Sequence, residues 1–341
     1  MNHNIVNRNP LQLATVAPEH LDLEDVSSFL GRLNNFYFTT YTYLWWRFVY
    51  LKEQEQLVKQ YLPDIADRVS SIYELQRNVS LMLINGHFSF DTPTALLPNI
   101  VEIGGIHLFY NNTKLPQDVK KILDESIDGV VYMNFGSNIK SRDLPEGKKS
   151  AFLNVFKRLK QTVIMKWEDD ELEYELKNVV TRKWLPQKEI LAHPNTKVFI
   201  SHGGLLGTQE AIFYGVPLIG IPIFGDQYNN LLLVEENGFG KILKYHDINE
   251  QTLEIFLQEI LNNRTYTDKA KEISQRFKDR PMNSLDTAIF WIEYVIRNKG
   301  ADFMKNPARN ISWVAYNMMD VYIFIVLLFL VIIVVSIILI R

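Results

Sequence analysis

The 341-residue chain contains no cysteine. That excludes a disulfide scaffold, a thiol nucleophile and zinc–thiolate sites. It leaves the secretory pathway open, because a large domain needs no disulfides. A dominant charge is lacking too. The 36 Lys and Arg nearly balance 39 Asp and Glu, for a net charge of −3, so no global basic field marks a nucleic-acid binder. No G-x-G-x-x-G occurs, which argues against a nicotinamide dinucleotide site. From Met1 to Pro18 the chain shows His3, Arg8 and several Asn, without the apolar run of roughly 7–15 residues that a signal peptide needs.

One stretch lacks charge altogether. Val321–Ile340 is apolar at 19 of its 20 positions, Ser336 being the exception. At ~1.5 Å per residue the run spans about 30 Å, a bilayer's hydrocarbon thickness, so a single membrane helix is expected. Tyr316 and Tyr322, with Trp313 nearby, sit where an interfacial aromatic belt would lie. Lys299, Lys305 and Arg309 precede the span and only Arg341 follows; counted locally, that puts the N-terminal side in the cytoplasm unless a leader sets orientation first. The four N-x-S/T acceptors, at Asn78, Asn111, Asn263 and Asn310, exceed chance by too little to indicate a compartment. Elsewhere the chain is ordinarily globular, with 47% hydrophobic and 22% charged residues, and its length is a prior for about two domains.

Residues 1–80 read as mostly helical. Nine aromatics between Phe36 and Tyr50 suit either a helix packed on both sides or the lining of an apolar ligand or membrane surface. Val79–Ile84 and Val101–Ile103 are strand-like, and Gly104 and Gly105 end the second. The polar stretch from Tyr110 to Gln117 contains Pro116 and reads as a linker. From Gly129 onward, strands at Val130–Phe135, Thr162–Trp167, Val179–Lys183, Val198–Ser201 and Leu218–Ile221 alternate with helices at Glu146–Lys160, Lys188–Ala192, through Glu210 to Gly215, and Asp226–Asn237. That alternation predicts an α/β fold whose parallel sheet is covered on both faces. Leu285, Ala288, Ile289, Ile292, Val295 and Ile296 form a helical stripe within Asn283–Arg297, for which core packing is expected, and Gly300 stops it.

Three loops at strand ends carry the chemistry. Phe135-Gly136-Ser137-Asn138 lets backbone N–H groups approach an anion. Ser201-His202-Gly203-Gly204 joins a strand to a helix N-terminus, which presents free N–H groups and partial positive charge, a phosphate site by construction; His202 at its mouth is a candidate ligand contact. In Pro222–Gln227, Asp226 is either an N-cap or, with Gln227, a partner for sugar hydroxyls.

The 44 residues WLPQKEILAHPNTKVFISHGGLLGTQEAIFYGVPLIGIPIFGDQ, Trp184 to Gln227, resemble the signature of the UDP-glycosyltransferase family. FGSN, the segment Ala288–Ala301 and the C-terminal span are similar to it as well. The likeness is to animal membrane-bound members, and LLGTQEA is most like the insect branch. It implies a GT-B fold of two Rossmann-like domains, the N-terminal one partial, plus one C-terminal transmembrane helix. Residues 1–105 would be the last third of the acceptor-binding domain, 106–124 a linker, 125–300 the UDP-sugar domain, 301–320 a juxtamembrane segment and 321–340 the span.

Carried over by position, Trp184 would stack on uracil and Gln187 would contact the nucleoside. Ser137 and His202, with the Gly204 and Gly207 backbone, would face the diphosphate; Glu210 would hold ribose hydroxyls, and Asp226 and Gln227 the sugar. Where many members carry a phosphate-binding Asn, this chain has Leu206.

The resemblance implies inverting transfer of a hexosyl group, glucose or glucuronic acid, from a UDP-sugar co-substrate to small lipophilic acceptors. It implies no metal and no other cofactor, a detoxifying transferase's role, and an endoplasmic-reticulum anchor with the main domain lumenal; homo- or hetero-oligomers are compatible with it. The family's base is a histidine oriented by an aspartate, both early in the N-terminal domain. His20, His87 and His107 do not sit in that motif, so no residue is assigned as base. The alternatives are a catalytically silent UDP-sugar-binding protein that modulates full-length partners, and a membrane-anchored α/β protein with another nucleotide ligand.

Overall fold

A computed structural model describes residues 9–16, 26–66, 71–109, 114–168 and 176–340. Most of Met1–Pro18, His20, Tyr110 and Asn111 lie outside the described residues. Ser28 Oγ accepts from Gly31 N at 3.0 Å and so caps helix α1, Phe29–Trp45. A π-helical turn, Trp46–Tyr50, leads into α2, Leu51–Tyr61, and short helices α3 (Pro63–Ala66) and α4 (Ile72–Arg77) follow. The helical expectation holds, but packing on both sides does not. Of the nine aromatics only Trp46 is buried, while Phe36, Tyr37, Tyr41, Trp45, Phe48 and Tyr50 are exposed. Aromatics spread round a helix can bury only the stripe that a neighbour covers, here the stripe of Gly31, Asn35 and Trp46.

Strands β1 (Met82–Ile84) and β2 (Ile100–Glu102) pair in parallel. Gly104 follows β2 where a Cβ would sit 2.5 Å from Gly86 O, so only glycine fits that close backbone approach. The expected linker is not structureless. It contains a 3₁₀ turn at Ile106–Phe109 and helix α5, Gln117–Glu125, which buries Val119 and Leu123 at i, i+4 spacing.

The larger sheet holds six parallel strands: β3 (Val130–Asn134), β4 (Thr162–Lys166), β5 (Val179–Arg182), β6 (Thr196–Ser201), β7 (Leu218–Gly220) and β8 (Gly240–Ile242), in the order β5-β4-β3-β6-β7-β8. Period-2 alternation divides β3 between two cores. Val131 and Met133 join Phe152, Phe156, Val163 and Ile200 on one face. Val130 and Tyr132 join Phe199, Leu231 and Phe277 on the other, where the Tyr132 and Phe199 rings stack 5.2 Å apart. Helix α6 (Glu146–Arg158) covers the first face. The second is covered by α7 (Gln187–Leu191), α8 (Leu205–Tyr214) and α9 (Gln227–Glu236). Two further helices, α10 (Glu250–Asn262) on the first face and α11 (Arg264–Lys278) on the second, complete the layers. The sheet order reverses between β3 and β6, the switch point beyond whose carboxyl ends open α/β sheets bind their ligands.

Helix α12, Ser284–Arg297, starts at an Asn283 cap that accepts from Asp286 N at 2.9 Å. Core packing of its stripe is contradicted: Ala288 and Ser284 are buried, but Ile289 is 46%, Ile292 44% and Ile296 70% exposed. The periodicity identified the apolar face; of this helix only Ser284 and Ala288 are buried among the described residues. After a one-turn helix α13, Trp313–Tyr316, the last helix α14 runs Met319–Ile340. It is long and apolar enough to cross a membrane, and none of it is buried.

Candidate functional site

The sequence-predicted residues gather at the carboxyl edge of the six-stranded sheet. Ser137 follows β3, Trp184 follows β5, His202 and Gly204 follow β6, and Asp226 follows β7. Gln187 opens α7, while Gly207 and Glu210 lie on α8.

His202 is clamped between two glycines. A Cβ on Gly136 would lie 2.9 Å from its Cε1, and one on Gly204 2.6 Å from its Nε2. Gly136 has φ +79° and Gly203 φ +84°, left-handed conformations that favour glycine. Burial pushes the His202 pKa below its ordinary value, against the opposing field of Asp226. The imidazole is therefore neutral at pH 7, offering one N–H donor rather than a charge. Its Nδ1 is buried without a hydrogen-bond partner. Helix α8 begins directly beyond its N-cap Gly204, with no side-chain cap and no acidic residue in its first turn. Its first N–H groups are left for an external acceptor, and the macrodipole favours an anion there.

Behind the glycines runs a buried amide relay that the sequence reading missed. Asn134 Oδ1 accepts from Gly136 N at 2.8 Å. Asn134 Nδ2 donates to Gln187 Oε1 at 2.7 Å and to the Tyr132 hydroxyl at 3.0 Å. Gln187 Nε2 donates to Glu210 Oε2 at 2.5 Å, and Glu210 Oε1 lies 3.4 Å from His107 Nε2. On the turn's other side Lys166 Nζ donates to Gly136 O at 2.6 Å. The turn after β3 is thus held from both its N–H and its C=O. Asn134 was findable in the sequence as the only polar residue of the otherwise apolar strand VVYMN.

The third loop differs from expectation in two respects. Asp226 occupies the N-cap position of α9 but makes no side-chain cap bond; its Oδ2 instead accepts from Asn230 Nδ2 at 3.0 Å. The N-cap reading is therefore corrected, because the backbone at Asp226 is already helical (φ −80°, ψ −5°) and turns the carboxylate away from the orphan N–H groups. Gln227 is buried, and its Oε1 accepts from Ile223 N at 2.8 Å and Phe224 N at 3.0 Å. Its carbonyl shapes the loop and is not free for a sugar. Asn230 also donates to Gly203 O at 3.0 Å, tying the second and third loops together. Ser137 is exposed on its turn, and Trp184 is 66% exposed, its ring open to a stacking partner. Among the described residues no group of three His, Asp or Glu is placed to hold a metal ion.

Comparison with known proteins bears on this arrangement. The family described as UDP-glucoronosyl and UDP-glucosyl transferase matches residues 4–341. The chain belongs to this family. It is 42% identical over 302 residues to UDP-glycosyltransferase UGT5 of Dactylopius coccus, covering 89% of this chain and 57% of that protein. It is 30% identical over 304 residues to human UDP-glucuronosyltransferase 2B15, covering 89% of this chain and 56% of that one. It thus spans a little over half the length of these curated relatives. Among solved structures, the glycotransferase of kitacinnamycin superposes with a TM-score of 0.55 at 18% identity, over 71% of this chain and 62% of that one. A variant of Os79 from O. sativa, in complex with UDP, gives a TM-score of 0.50 at 23% identity, over 57% of this chain and 50% of that one. At these identities the likeness establishes the fold, an α/β glycosyltransferase architecture of the GT-B kind. The family's members are described as UDP-glucoronosyl and UDP-glucosyl transferases.

Proposed function

We propose that this chain holds the donor half of a membrane-anchored hexosyltransferase, which moves glucose or glucuronic acid from UDP to small lipophilic hydroxyl acceptors with inversion. The observation that carries the proposal is the His202 clamp at the mouth of α8. A neutral imidazole, the uncapped helix N-terminus and the Gly136 turn converge where the sheet order reverses, the position expected for a diphosphate. In this reading the α8 N–H groups and His202 take the phosphate oxygens, and the exposed Trp184 ring stacks on uracil. The Gln187–Glu210 pair, now hydrogen-bonded to each other, opens to the nucleoside and ribose hydroxyls. Asp226 accepts from sugar hydroxyls, with Gln227 supporting its loop.

As UDP leaves, negative charge develops on the β-phosphate, and the fixed donors stabilise it without reorganising. No described histidine is assigned as the acceptor's base. The anchor is α14, with the main domain in the lumen of the endoplasmic reticulum. The test is competition: UDP-glucose and UDP-glucuronate are titrated against fluorescent UDP bound to the full chain in maltoside micelles. Displacement by at least one of them, with GDP-mannose at least tenfold weaker, supports a UDP-sugar site. Equal displacement by all three would overturn it.

A further inference from the structure

Away from the donor crevice, and sharing no residue with it, a cavity of about 300 Å³ opens between α4 and the juxtamembrane segment. Its lining is Glu74, Leu75, Arg77 and Asn78 on one side, Arg309 and Asn310 on the other. Both guanidinium groups are only partly used. Arg77 Nη1 pairs with Glu74 Oε1 at 3.2 Å, yet its Nε is buried with no hydrogen-bond partner. Arg309 Nη2 pairs with Asp302 Oδ2 at 2.8 Å, yet its Nη1 is likewise buried and unpartnered.

The carboxylates stand outward: the side chains of Glu74 and Asp302 are 57% and 70% exposed, against 13% and 24% for Arg77 and Arg309. A third cation, Lys305, is almost wholly buried; its Nζ lies 2.9 Å from Asp302 Oδ1 and 3.0 Å from both Asn78 O and Oδ1. That contact commits the Asn78 amide and shares Asp302 between two cations. Three cations thus face two carboxylates, with the surplus positive charge on the buried side. Two arginines from separate elements line one cavity, and guanidinium groups match the oxygens of a phosphate group. At ~300 Å³ the cavity is at the small end of ligand sites.

Its position narrows the ligand further. Asn310 precedes the first residue of α14, Met319, by nine positions, so the cavity is tethered close to the membrane surface. We propose that this cavity is an anion site that takes a phosphate group, either the phosphate of a membrane-lipid headgroup or free orthophosphate.

The proposal is tested on the full chain in maltoside micelles, which carry no phosphate. The thermal midpoint is followed while orthophosphate is added against sodium chloride of equal ionic strength, and separately while the micelles are doped with phosphatidylglycerol or uncharged diacylglycerol. A rise of at least about 2 °C is expected from orthophosphate, from phosphatidylglycerol or from both, as for any ligand that binds only the folded state. A rise with orthophosphate shows that the free anion suffices; a rise confined to phosphatidylglycerol identifies the headgroup. The rise should persist in His202→Ala and vanish in Arg309→Gln, and also in Asn310→Asp, which adds a negative charge at an exposed position with little risk to folding. UDP affinity unchanged in Arg309→Gln shows that this variant is folded. No rise with either probe overturns the proposal, as does a rise that survives in both Arg309→Gln and Asn310→Asp.

Discussion

Gly204→Ala separates contact with His202 from backbone strain more cleanly than any other change at the site. Gly204 has φ −61° and ψ 140°, which alanine adopts freely, so strain in the main chain contributes nothing. The added Cβ would lie 2.6 Å from His202 Nε2 and 3.0 Å from Cε1. Ordinary contact begins at 3.4 Å, so the ring must retreat by about 0.8 Å. A retreat toward Gly136 brings the ring onto a backbone so close that a Cβ there would lie 2.9 Å from Cε1. The imidazole therefore swings out of the clamp.

Overpacking of this kind costs roughly 1–3 kcal/mol in a rigid core, and less here because His202 is only half-buried. Melting should shift by a few degrees at most, while UDP affinity should fall at least tenfold, about 1.4 kcal/mol. The decisive assay is a double-mutant cycle by isothermal titration. In a His202→Ala background the same Gly204→Ala change should cost under twofold, because the displaced ring is already gone. Equal losses in both backgrounds, or no loss in the wild type, would refute the clamp.

Three further outcomes follow from the structure. Asn134→Ala should lower stability by ~1–3 kcal/mol, since it orphans the fully buried Tyr132 hydroxyl and the Gly136 N–H; Tyr132→Phe should cost less, which denaturant titration of both variants would check. Gly104→Ala drives a Cβ into Gly86 O at 2.5 Å, backbone against backbone, and should destabilise the β1–β2 unit enough to raise its limited proteolysis severalfold.

The third is a pH dependence. Burial, then the Arg280 charge, lowers His87 to about 4. The unfolded chain protonates it near 6.5, so stability is intact above that pH and is lost as pH falls toward 4. The loss approaches ~3 kcal/mol at most. Burial raises Asp91 and Glu102 nearby, and these oppose that slope by losing stability as pH rises. Comparing urea midpoints at pH 7 and 5 for wild type and His87→Asn isolates the histidine; a slope unchanged by the substitution would contradict its buried neutral state.

Much of the sheet was legible because parallel strands read as short apolar runs, and turn glycines punctuate them. The clustering of the three loops at one sheet edge was legible for the same reason: Gly136, His202-Gly203-Gly204 and Asp226 each follow a strand. What covers an apolar face was not legible. The stripe Ile289–Ile292–Ile296 has the periodicity of a packed helix, yet periodicity specifies a face and not its partner. Nor was the relay Tyr132–Asn134–Gln187–Glu210–His107, whose members lie up to 103 positions apart and meet only when β3, α7 and α8 pack. Gln227 shows the converse, since the signature assigns it to the sugar while its carbonyl serves the loop.

The proposed UDP site at the β3–β6 switch point is tested most directly by calorimetric titration of UDP into the full chain in detergent. Saturable one-to-one binding, weakened at least tenfold by His202→Ala with melting preserved, is the predicted result. Folded wild-type protein that takes up no UDP, or equal affinity in wild type and His202→Ala, would contradict it.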